Sequence, residues 1–222
     1  MKDKASKVVE KGTKERIRDV AIDLFSREGY NAVSIRDIAR VVKITESSIY
    51  NHYKGKEDII DSIIDFLITT SQPSPNEVPM DVLLEKYGPE GLVMFIGKVI
   101  MERLKVPHIR KICRFMCIEL YHNVKIQDFF KNTFIESSYQ SWEQIFQKMM
   151  DMGLIRKHDA KMLATEFFDY CIFLYFDCFI INYDEAAFDA LIDSMIGKLT
   201  SHVKFLFGTL GKTKTGSSGE DK

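Results

Sequence analysis

Apolar residues recur along this chain at steps of three and four positions, the spacing that places side chains on one face of an α-helix. No segment shows the sustained alternation of apolar and polar residues, bounded by tight turns, that indicates β-hairpins. We therefore predict an all-α protein. The predicted helices cover about residues 13–29, 34–41 and 45–53, a segment from 56 towards a loop at 71–79, and then 80–87, 89–104, 107–122, 125–152, 159–181 and 184–207.

The first three helices are short, and their ends carry recognisable signals. Gly29 follows the first helix, and glycine readily ends a helix in the left-handed conformation. Ser34 opens the second helix, and Asp37 three positions later completes a capping box. Thr45 is placed to cap the third helix. These signals predict two short helices joined by a tight turn and braced by the helix before them, which is a helix-turn-helix unit.

The second helix of such a unit enters the major groove of DNA and offers its N-terminal residues to base edges. This role needs small or polar residues on the outer face of the helix and phosphate-binding groups around its rim. The outer face here carries Glu46, Ser47, Ser48 and Asn51, and the rim carries Tyr50, His52, Lys54 and Lys56. Backbone amides at the helix starts near residues 34 and 56 could add donors to phosphate oxygens.

The run from Thr13 to Ile60 resembles the N-terminal domain of the TetR family of bacterial and archaeal repressors. The resemblance covers 48 residues in fixed order without gaps. It is carried by Ala21 and Phe25, by Gly29-Tyr30, by the stretch from Ser34 to Ala39, and by the stretch from Ile49 to Glu57. The resemblance implies a symmetric homodimer that grips a palindromic DNA operator in successive major grooves.

The resemblance also implies roles for individual residues. Tyr50, His52 and Lys56 fall on positions that contact phosphates, and Thr45 falls on a helix cap that tends to meet the DNA backbone. Glu46, Ser47 and Asn51 fall on variable positions that face base edges, and Arg36 falls on one that sometimes reaches a base. The predicted DNA-binding residues are Ser34, Arg36, Thr45, Glu46, Ser47, Ser48, Tyr50, Asn51, His52 and Lys56.

The turn between the second and third helices departs from the family pattern. The family commonly has a small residue followed by glycine there, whereas this chain has Val42 and Lys43. A lysine held at positive φ would cost roughly 1 kcal/mol or more, so the turn is expected to be strained or differently shaped. A three-helix bundle without DNA function would bury the same apolar residues, and Tyr53 is expected in such a core.

The charge is divided unevenly along the chain. Residues 1–56 contain 13 Lys/Arg and 8 Asp/Glu, for a net charge of +5, whereas residues 57–222 contain 18 and 24, for −6. A basic head on an acidic body suits a polyanionic partner that touches only the head. We predict a three-helix DNA-binding head at 1–55, a larger helical ligand-binding and dimerisation domain at 56–207, and a disordered tail at 208–222.

The larger domain is rich in aromatic residues, concentrated in two of its helices. Such rings usually form a core, but so many, together with ten methionines, are hard to pack without a void. A void would suit a small apolar or aromatic effector. The candidate ligand-binding residues are Phe130, Phe134, Trp142, Phe146, Phe168, Asp169, Phe173, Phe176 and Asp177.

Two of these candidates are acidic and leave alternatives open. Asp169 and Asp177 lie eight residues apart, on roughly the same helical face. If buried, they could be counter-ions for a cationic ligand. The favoured alternative is that both reach solvent or pair with lysine or arginine.

The last helix carries an apolar stripe about five turns long. By the resemblance, the last two helices form the dimer as a four-helix bundle, and a stripe this wide fits contact with both its own body and a partner. The candidate dimer residues are Phe188, Leu191, Ile192, Met195, Leu199 and Val203.

Other classes of protein are disfavoured. The sequence has no nucleophile elbow, phosphate loop or zinc-ligand pattern, so we expect no enzyme activity, no metal and no cofactor. No run is long and apolar enough to span a membrane, and no signal peptide is evident, so we predict a cytoplasmic protein. We hypothesise a repressor that a small-molecule effector releases from DNA, and the rival is a helical ligand-binding or adaptor protein that does not bind DNA.

Overall fold

The computed structural model describes residues 12–71 and 78–210, and every regular element in these two ranges is helical. The fold class predicted from the apolar spacing is therefore confirmed. The helices are α1 (Thr13–Glu28), α2 (Ile35–Val42), α3 (Glu46–Tyr50), α4 (Lys56–Ser71), α5 (Met80–Leu104), α6 (Pro107–Glu119), α7 (Val124–Asp128), α8 (Ser137–Asp151), α9 (Ala160–Phe176) and α10 (Phe188–Leu210), with π-helical segments at Phe129–Glu136 and Asp177–Ile181.

The first compact unit combines the N-terminal helices with a segment from much later in the chain. Among the described residues it comprises 12–71 together with Lys111–Glu119. Its core consists of the inward faces of α1 to α4 and of the α6 segment, and burial there is nearly complete. The most deeply buried apolar residues are Ile17, Ala21, Ile22, Phe25, Ile38, Ile49, Ile59, Ile60, Ile63, Ile112 and Phe115.

The second compact unit comprises, among the described residues, 78–110 and 120–210. Two helix pairs, α8 with α9 and α5 with α10, make most of its internal packing. The α5–α10 pair is close because Gly97 has no side chain. A Cβ atom at that position would lie 2.5 Å from Cδ2 of Leu199, so a larger residue would push the two helices apart.

This division differs from the predicted domain boundary between residues 55 and 56. Helix α4 groups with the head because Ile59, Ile60 and Ile63 are fully buried and α4 packs on α1. The predicted tail also begins too early, since α10 continues to Leu210, which is buried. Residues 72–77 of the predicted loop and residues 211–222 of the predicted tail lie outside the described residues.

Several helix bounds differ locally from the sequence prediction. The predicted helix at 125–152 is interrupted by the first π-helical segment, and the one at 159–181 ends in the second. Helix α10 starts at Phe188 rather than near 184, because the side chain of Asp184 accepts a hydrogen bond from the backbone N–H of Ala186 and forms a turn. The sequence predicted two helices separated between residues 87 and 89. The structure has a kink there inside α5, at Gly88, whose φ is 67°.

None of the helices within 12–71 and 78–210 combines the length and the apolar character that crossing a membrane requires.

Candidate nucleic-acid interface

The N-terminus of α2 is fixed by the capping box expected from the sequence. The Ser34 hydroxyl accepts a hydrogen bond from the backbone N–H of Asp37 at 3.1 Å, and the Ser34 N–H donates to Asp37 Oδ2 at 3.0 Å. The Ser34 hydroxyl also donates to Asp37 Oδ2, and the two hydrogen bonds from Ser34 to this carboxylate, with the charges of Arg40 and Arg36, hold the pKa of Asp37 below its usual value. Asp37 therefore stays ionised at a helix N-terminus, where negative charge is favourable.

The turn between α2 and α3 contains Lys43 in the left-handed conformation, for which strain is expected from the sequence. Lys43 has φ 63° and ψ 49°, a conformation that glycine adopts far more readily. The Arg16 guanidinium of α1 donates to the carbonyl oxygen of Val42 at 2.9 Å, and the N–H of Ile44 donates to Ala39 at 3.0 Å. The turn is thus held by hydrogen bonds to groups that would otherwise be unpaired at the end of α2.

Helix α3 is capped as predicted but is shorter than predicted. The Thr45 hydroxyl accepts a hydrogen bond from the N–H of Ser48 at 3.2 Å, so Thr45 is the N-cap. The N–H groups of His52 and Tyr53 both donate to the carbonyl of Ile49 at 2.9 Å. This arrangement ends α3 at Tyr50 and places Asn51 and His52 in the turn that follows, whereas the sequence predicted a helix through residue 53.

The inner and outer faces of α3 have opposite character. Ile49 is fully buried, and Tyr53 just beyond the helix is 2% exposed, with its hydroxyl donating to the carbonyl of Lys14 at 3.0 Å. Tyr50, by contrast, is 56% exposed. The outward side chains also include Thr45, Glu46, Ser47 and Asn51, all exposed, and Ser48, which is half-buried. The packing of the inner face therefore fixes which polar groups face outward.

The predicted rim residues have different environments. Ser34 and Arg36 are exposed at the start of α2, and His52 is half-buried. Lys56 is also half-buried: its Nζ donates to the carbonyl of Tyr30 at 2.5 Å and lies 4.0 Å from the centre of the Tyr30 ring. Burial lowers the pKa of Lys56, and the nearby carboxylates of Glu119 and Glu57 oppose this shift.

Sequence reasoning missed three residues that support this surface. Arg16 holds the turn, Tyr30 holds Lys56, and Glu119 accepts the N–H of Tyr30 at 2.8 Å. Tyr30 is one of the residues that carry the resemblance to the TetR family, so the sequence could have indicated that it matters to the head. Glu119 lies 89 residues away in sequence from the residue it contacts, and no local pattern could have indicated it.

In the second unit, most of the candidate ligand-binding rings pack against one another. Phe130, Trp142, Phe146 and Phe168 are buried, and Phe134 and Phe176 are half-buried. The ring centres of Trp142 and Phe167 lie 4.4 Å apart, and those of Phe130 and Phe134 lie 5.4 Å apart, within the range of direct aromatic contact. Phe173 differs, since it is 55% exposed on the outside of α9.

The two acidic candidates do not share an environment. Asp177 is buried and accepts hydrogen bonds from Asn182 Nδ2 at 2.7 Å and from Lys198 Nζ at 3.0 Å. Asp169 is exposed and accepts a hydrogen bond from the hydroxyl of Tyr139. The two carboxylates are not a buried pair, because Asp177 already lies in the π-helical segment, where the helical spacing changes. These contacts match the favoured alternative of solvent exposure and lysine pairing.

A cavity of about 220 Å³ lies between α5 and α10, away from these aromatic residues. It is smaller than the roughly 300–1,000 Å³ of typical ligand pockets. It is lined by Gly91, Met94, Phe95, Lys98, Ile196, Leu199 and Thr200. Of the predicted site residues only Leu199 borders it, and Leu199 was predicted for the dimer.

The candidate dimer residues of α10 also lie mostly inside their own unit. Phe188, Ile192, Met195, Leu199 and Val203 are each 2% exposed or less, and Leu191 is half-buried. The apolar stripe therefore packs within the same chain, chiefly against α5. The outer faces of α9 and α10 remain accessible and carry Met162, Phe173 and Phe205, each more than half exposed.

Comparison with known proteins agrees with the geometry of the head. Residues 17–63 match the model of the family described as bacterial regulatory proteins, tetR family. The biofilm operon icaADBC HTH-type negative transcriptional regulator IcaR of Staphylococcus epidermidis is 32% identical over 97 residues, which cover 40% of this chain and 46% of that protein. The chain thus aligns with about half the length of this relative.

Solved structures are similar over most of the chain. A transcriptional regulator from Aquifex aeolicus VF5 has a TM-score of 0.61 and 23% identity, covering 88% of this chain and 100% of that one. AibR, solved in complex with isovaleryl coenzyme A and operator DNA, has a TM-score of 0.56 and 17% identity, covering 85% and 98%. These structures share the fold of an N-terminal helix-turn-helix domain followed by a helical domain. The tetR family model thus matches the head of this chain, and the similar solved structures share its fold over most of its length.

Proposed function

We propose that this protein is a sequence-specific regulator that binds double-stranded DNA through the outer face of α3. The observation that carries this proposal is the division of α3 into a locked inner face and a polar outer face. Ile49 and Tyr53 fix the helix from inside, and Glu46, Ser47, Tyr50 and Asn51 are exposed together on the other side. A rigid helix that presents polar groups is the geometry that reading a major groove requires.

The outer face divides into base-reading and phosphate-binding groups. An asparagine amide can pair with both N6 and N7 of adenine, and a glutamate can accept from N4 of cytosine, so Asn51 and Glu46 are the proposed base-reading residues. Tyr50, His52 and Lys56 are the proposed phosphate ligands, and Arg36 is proposed to reach a base edge from the start of α2. Ser34, Thr45, Ser47 and Ser48 complete the proposed contact surface with short hydroxyl side chains.

We also propose a homodimer, with its interface on the outer faces of α9 and α10 rather than on the stripe first predicted. On α9, Met162, Glu166, Asp169 and Phe173 follow one helical face and are all exposed. On α10, Ser194, Gly197, Ser201, Phe205 and Gly208 do the same, and the small residues among them, Ser194, Gly197, Ser201 and Gly208, would let a partner helix approach closely. A two-fold dimer would present two α3 helices to a palindromic operator.

The regulatory part of the proposal is repression relieved by a small apolar or aromatic effector. AibR supports this in that its structure holds both an acyl coenzyme A and operator DNA. An effector needs only a differential affinity of about 1–3 kcal/mol between two states to change operator binding 5- to 150-fold. The family is one of transcription regulators, and we propose a cytoplasmic protein that needs no cofactor and is not an enzyme.

The proposal is tested by selecting duplexes from a random pool with the wild-type protein and measuring affinity by fluorescence anisotropy. Tyr50→Ala is expected to weaken binding to the selected duplex about tenfold, because it removes a phosphate hydrogen bond. Tyr121→Ala is the matched control, since Tyr121 is 85% exposed in the second unit. It is expected to leave affinity unchanged.

Two results would contradict the proposal. If the wild-type protein enriches no duplex sequence, the rival function of an adaptor without DNA binding is favoured. If Tyr50→Ala and Tyr121→Ala bind the selected duplex equally well, DNA does not contact the outer face of α3.

A further inference from the structure

A segment of α6 is part of the DNA-binding head even though it lies about 40 residues after α4. Lys111–Glu119 belongs to the first compact unit, while Arg110 before it and Leu120 after it belong to the second. The segment lies against the C-terminal half of α1. The Phe115 and Phe25 ring centres are 5.3 Å apart, and both side chains are fully buried.

Two polar contacts reinforce this packing near the surface. Lys111 Nζ donates to Asp23 Oδ1 at 2.7 Å, and Arg114 Nε donates to the carbonyl of Ser26 at 3.1 Å. The Lys111 and Asp23 side chains are 35% and 48% exposed, so their ion pair adds little. The contact at the end of α6 is different, because the carboxylate that makes it is buried.

Glu119, the last residue of α6, is 5% exposed. Its Oε1 accepts the backbone N–H of Tyr30 at 2.8 Å, directly after the end of α1. The preceding residue, Gly29, has φ 82°, and a Cβ atom there would lie 3.4 Å from the same carboxylate oxygen. A buried carboxylate needs such partners, so Glu119 and the Gly29-Tyr30 backbone constrain each other.

Tyr30 in turn contacts the first two residues of α4, Lys56 and Glu57. Its carbonyl accepts from Lys56 Nζ at 2.5 Å, its ring lies 4.0 Å from the same Nζ, and its hydroxyl donates to Glu57 Oε1 at 2.5 Å. One residue is thus held by Glu119 at its N–H, by Lys56 at its carbonyl and by Glu57 at its hydroxyl. The Lys56 ammonium is one of the proposed phosphate ligands.

We propose that Glu119 is a positioning residue for DNA binding: through Tyr30 it fixes the Lys56 ammonium where a phosphate can reach it. This inference rests on the proposed function. Displacing the α6 segment far enough to break the 2.8 Å bond would release Tyr30, and with it Lys56. The position of α6 therefore sets how strongly the head grips the phosphate backbone.

The test compares Glu119→Ala with Glu119→Gln on a duplex that the wild-type protein selects from a random pool. Glu119→Ala is expected to lower affinity about tenfold, and each lost phosphate contact reduces the slope of log affinity against log salt by about 0.9. Glu119→Gln keeps an oxygen that can accept the Tyr30 N–H. It is expected to retain the wild-type salt slope and an affinity within about threefold, since the hydrogen bond persists without its charge.

A double-mutant cycle with Lys56→Ala separates positioning from a general loss of stability. If Glu119 acts through Lys56, adding Glu119→Ala to Lys56→Ala reduces the salt slope no further. Should Glu119→Ala not fold, Glu119→Asp replaces it, because it withdraws the carboxylate by one methylene and is expected to show the same loss.

Additive effects in the cycle, or a folded Glu119→Ala protein with wild-type affinity and salt slope, would overturn the inference while leaving the proposed function intact. Failure of the wild-type protein to select any duplex would instead overturn the proposed function, and this inference with it.

Discussion

Helices α3 and α10 each have a buried apolar face and an exposed face, but the buried face is a single residue in α3 and a long stripe in α10. In α3 the apolar face is a single fully buried residue, Ile49, and the exposed face holds the proposed DNA contacts. In α10 the apolar face is a stripe about five turns long that packs inside its own unit. Its exposed face, with Gly197 and Ser201, is where a partner could approach.

The comparison shows that an apolar stripe identifies a buried face but not the partner that buries it. In α3 the single aliphatic residue is buried, so the exposed polar residues form the proposed DNA-binding surface. In the second unit, the apolar residues are numerous enough to form a core by themselves. Candidate binding residues are therefore the side chains that remain exposed outside this core.

The largest expected effect comes from the aromatic core of the second unit. Phe146 was a candidate ligand contact but is fully buried against Trp142 and Phe167. Phe146→Ala is expected to lower the free energy of unfolding by about 3–5 kcal/mol, measured by urea denaturation. Tyr121→Ala, an aromatic truncation at an exposed position, should change it by about 0.5 kcal/mol or less. A Phe146→Ala protein as stable as wild type would show that this residue lines a cavity rather than a core.

The next effect concerns the exposed faces of α9 and α10. Combining Phe173→Asp with Phe205→Asp would bury four unpaired charges in the proposed dimer, so we expect the dimer dissociation constant to rise at least about 100-fold, or about 2.7 kcal/mol. Sedimentation equilibrium measures this change. Val124→Asp is the control, since Val124 is 68% exposed outside that surface. If both proteins dimerise like wild type, the interface lies elsewhere.

A smaller effect is expected on DNA specificity. Glu46→Ala removes the proposed acceptor for a cytosine amino group, so discrimination at one base position in each half-site should fall by about 1–3 kcal/mol. Repeating the duplex selection with the variant measures this directly. The proposal for Glu46 is wrong if the variant enriches the same base at every position as wild type.

The smallest effect concerns the turn of the head. Lys43 is left-handed, with φ 63°, so Lys43→Gly is expected to stabilise the protein by up to about 1 kcal/mol, seen as a higher melting temperature. Lys43→Ala removes the same charge but keeps the side-chain penalty, and it should give no such gain. Equal melting temperatures for the two variants would show that the turn is not strained.

Sequence alone predicted the starts of α2 and α3 and the end of α1, because these helix ends are set by local chemistry. Gly29 ends α1, Ser34 and Asp37 cap α2, and Thr45 caps α3, as the spacing indicated. The second unit was predicted only as a set of helices. The close approach of Gly97 to Leu199 and the contact of Glu119 with Tyr30 join residues far apart in sequence, which local patterns do not encode.

The central claim is that two copies of the outer face of α3 enter the major groove of one duplex. A dimethyl sulfate footprint on the selected duplex tests it most directly, because the reagent methylates guanine N7 in the major groove. We predict two protected clusters whose centres lie about 10–10.5 base pairs apart or a multiple of this. Tyr50→Ala is expected to need about tenfold more protein for the same protection. A single cluster, or none on a duplex that the protein demonstrably binds, would contradict the account.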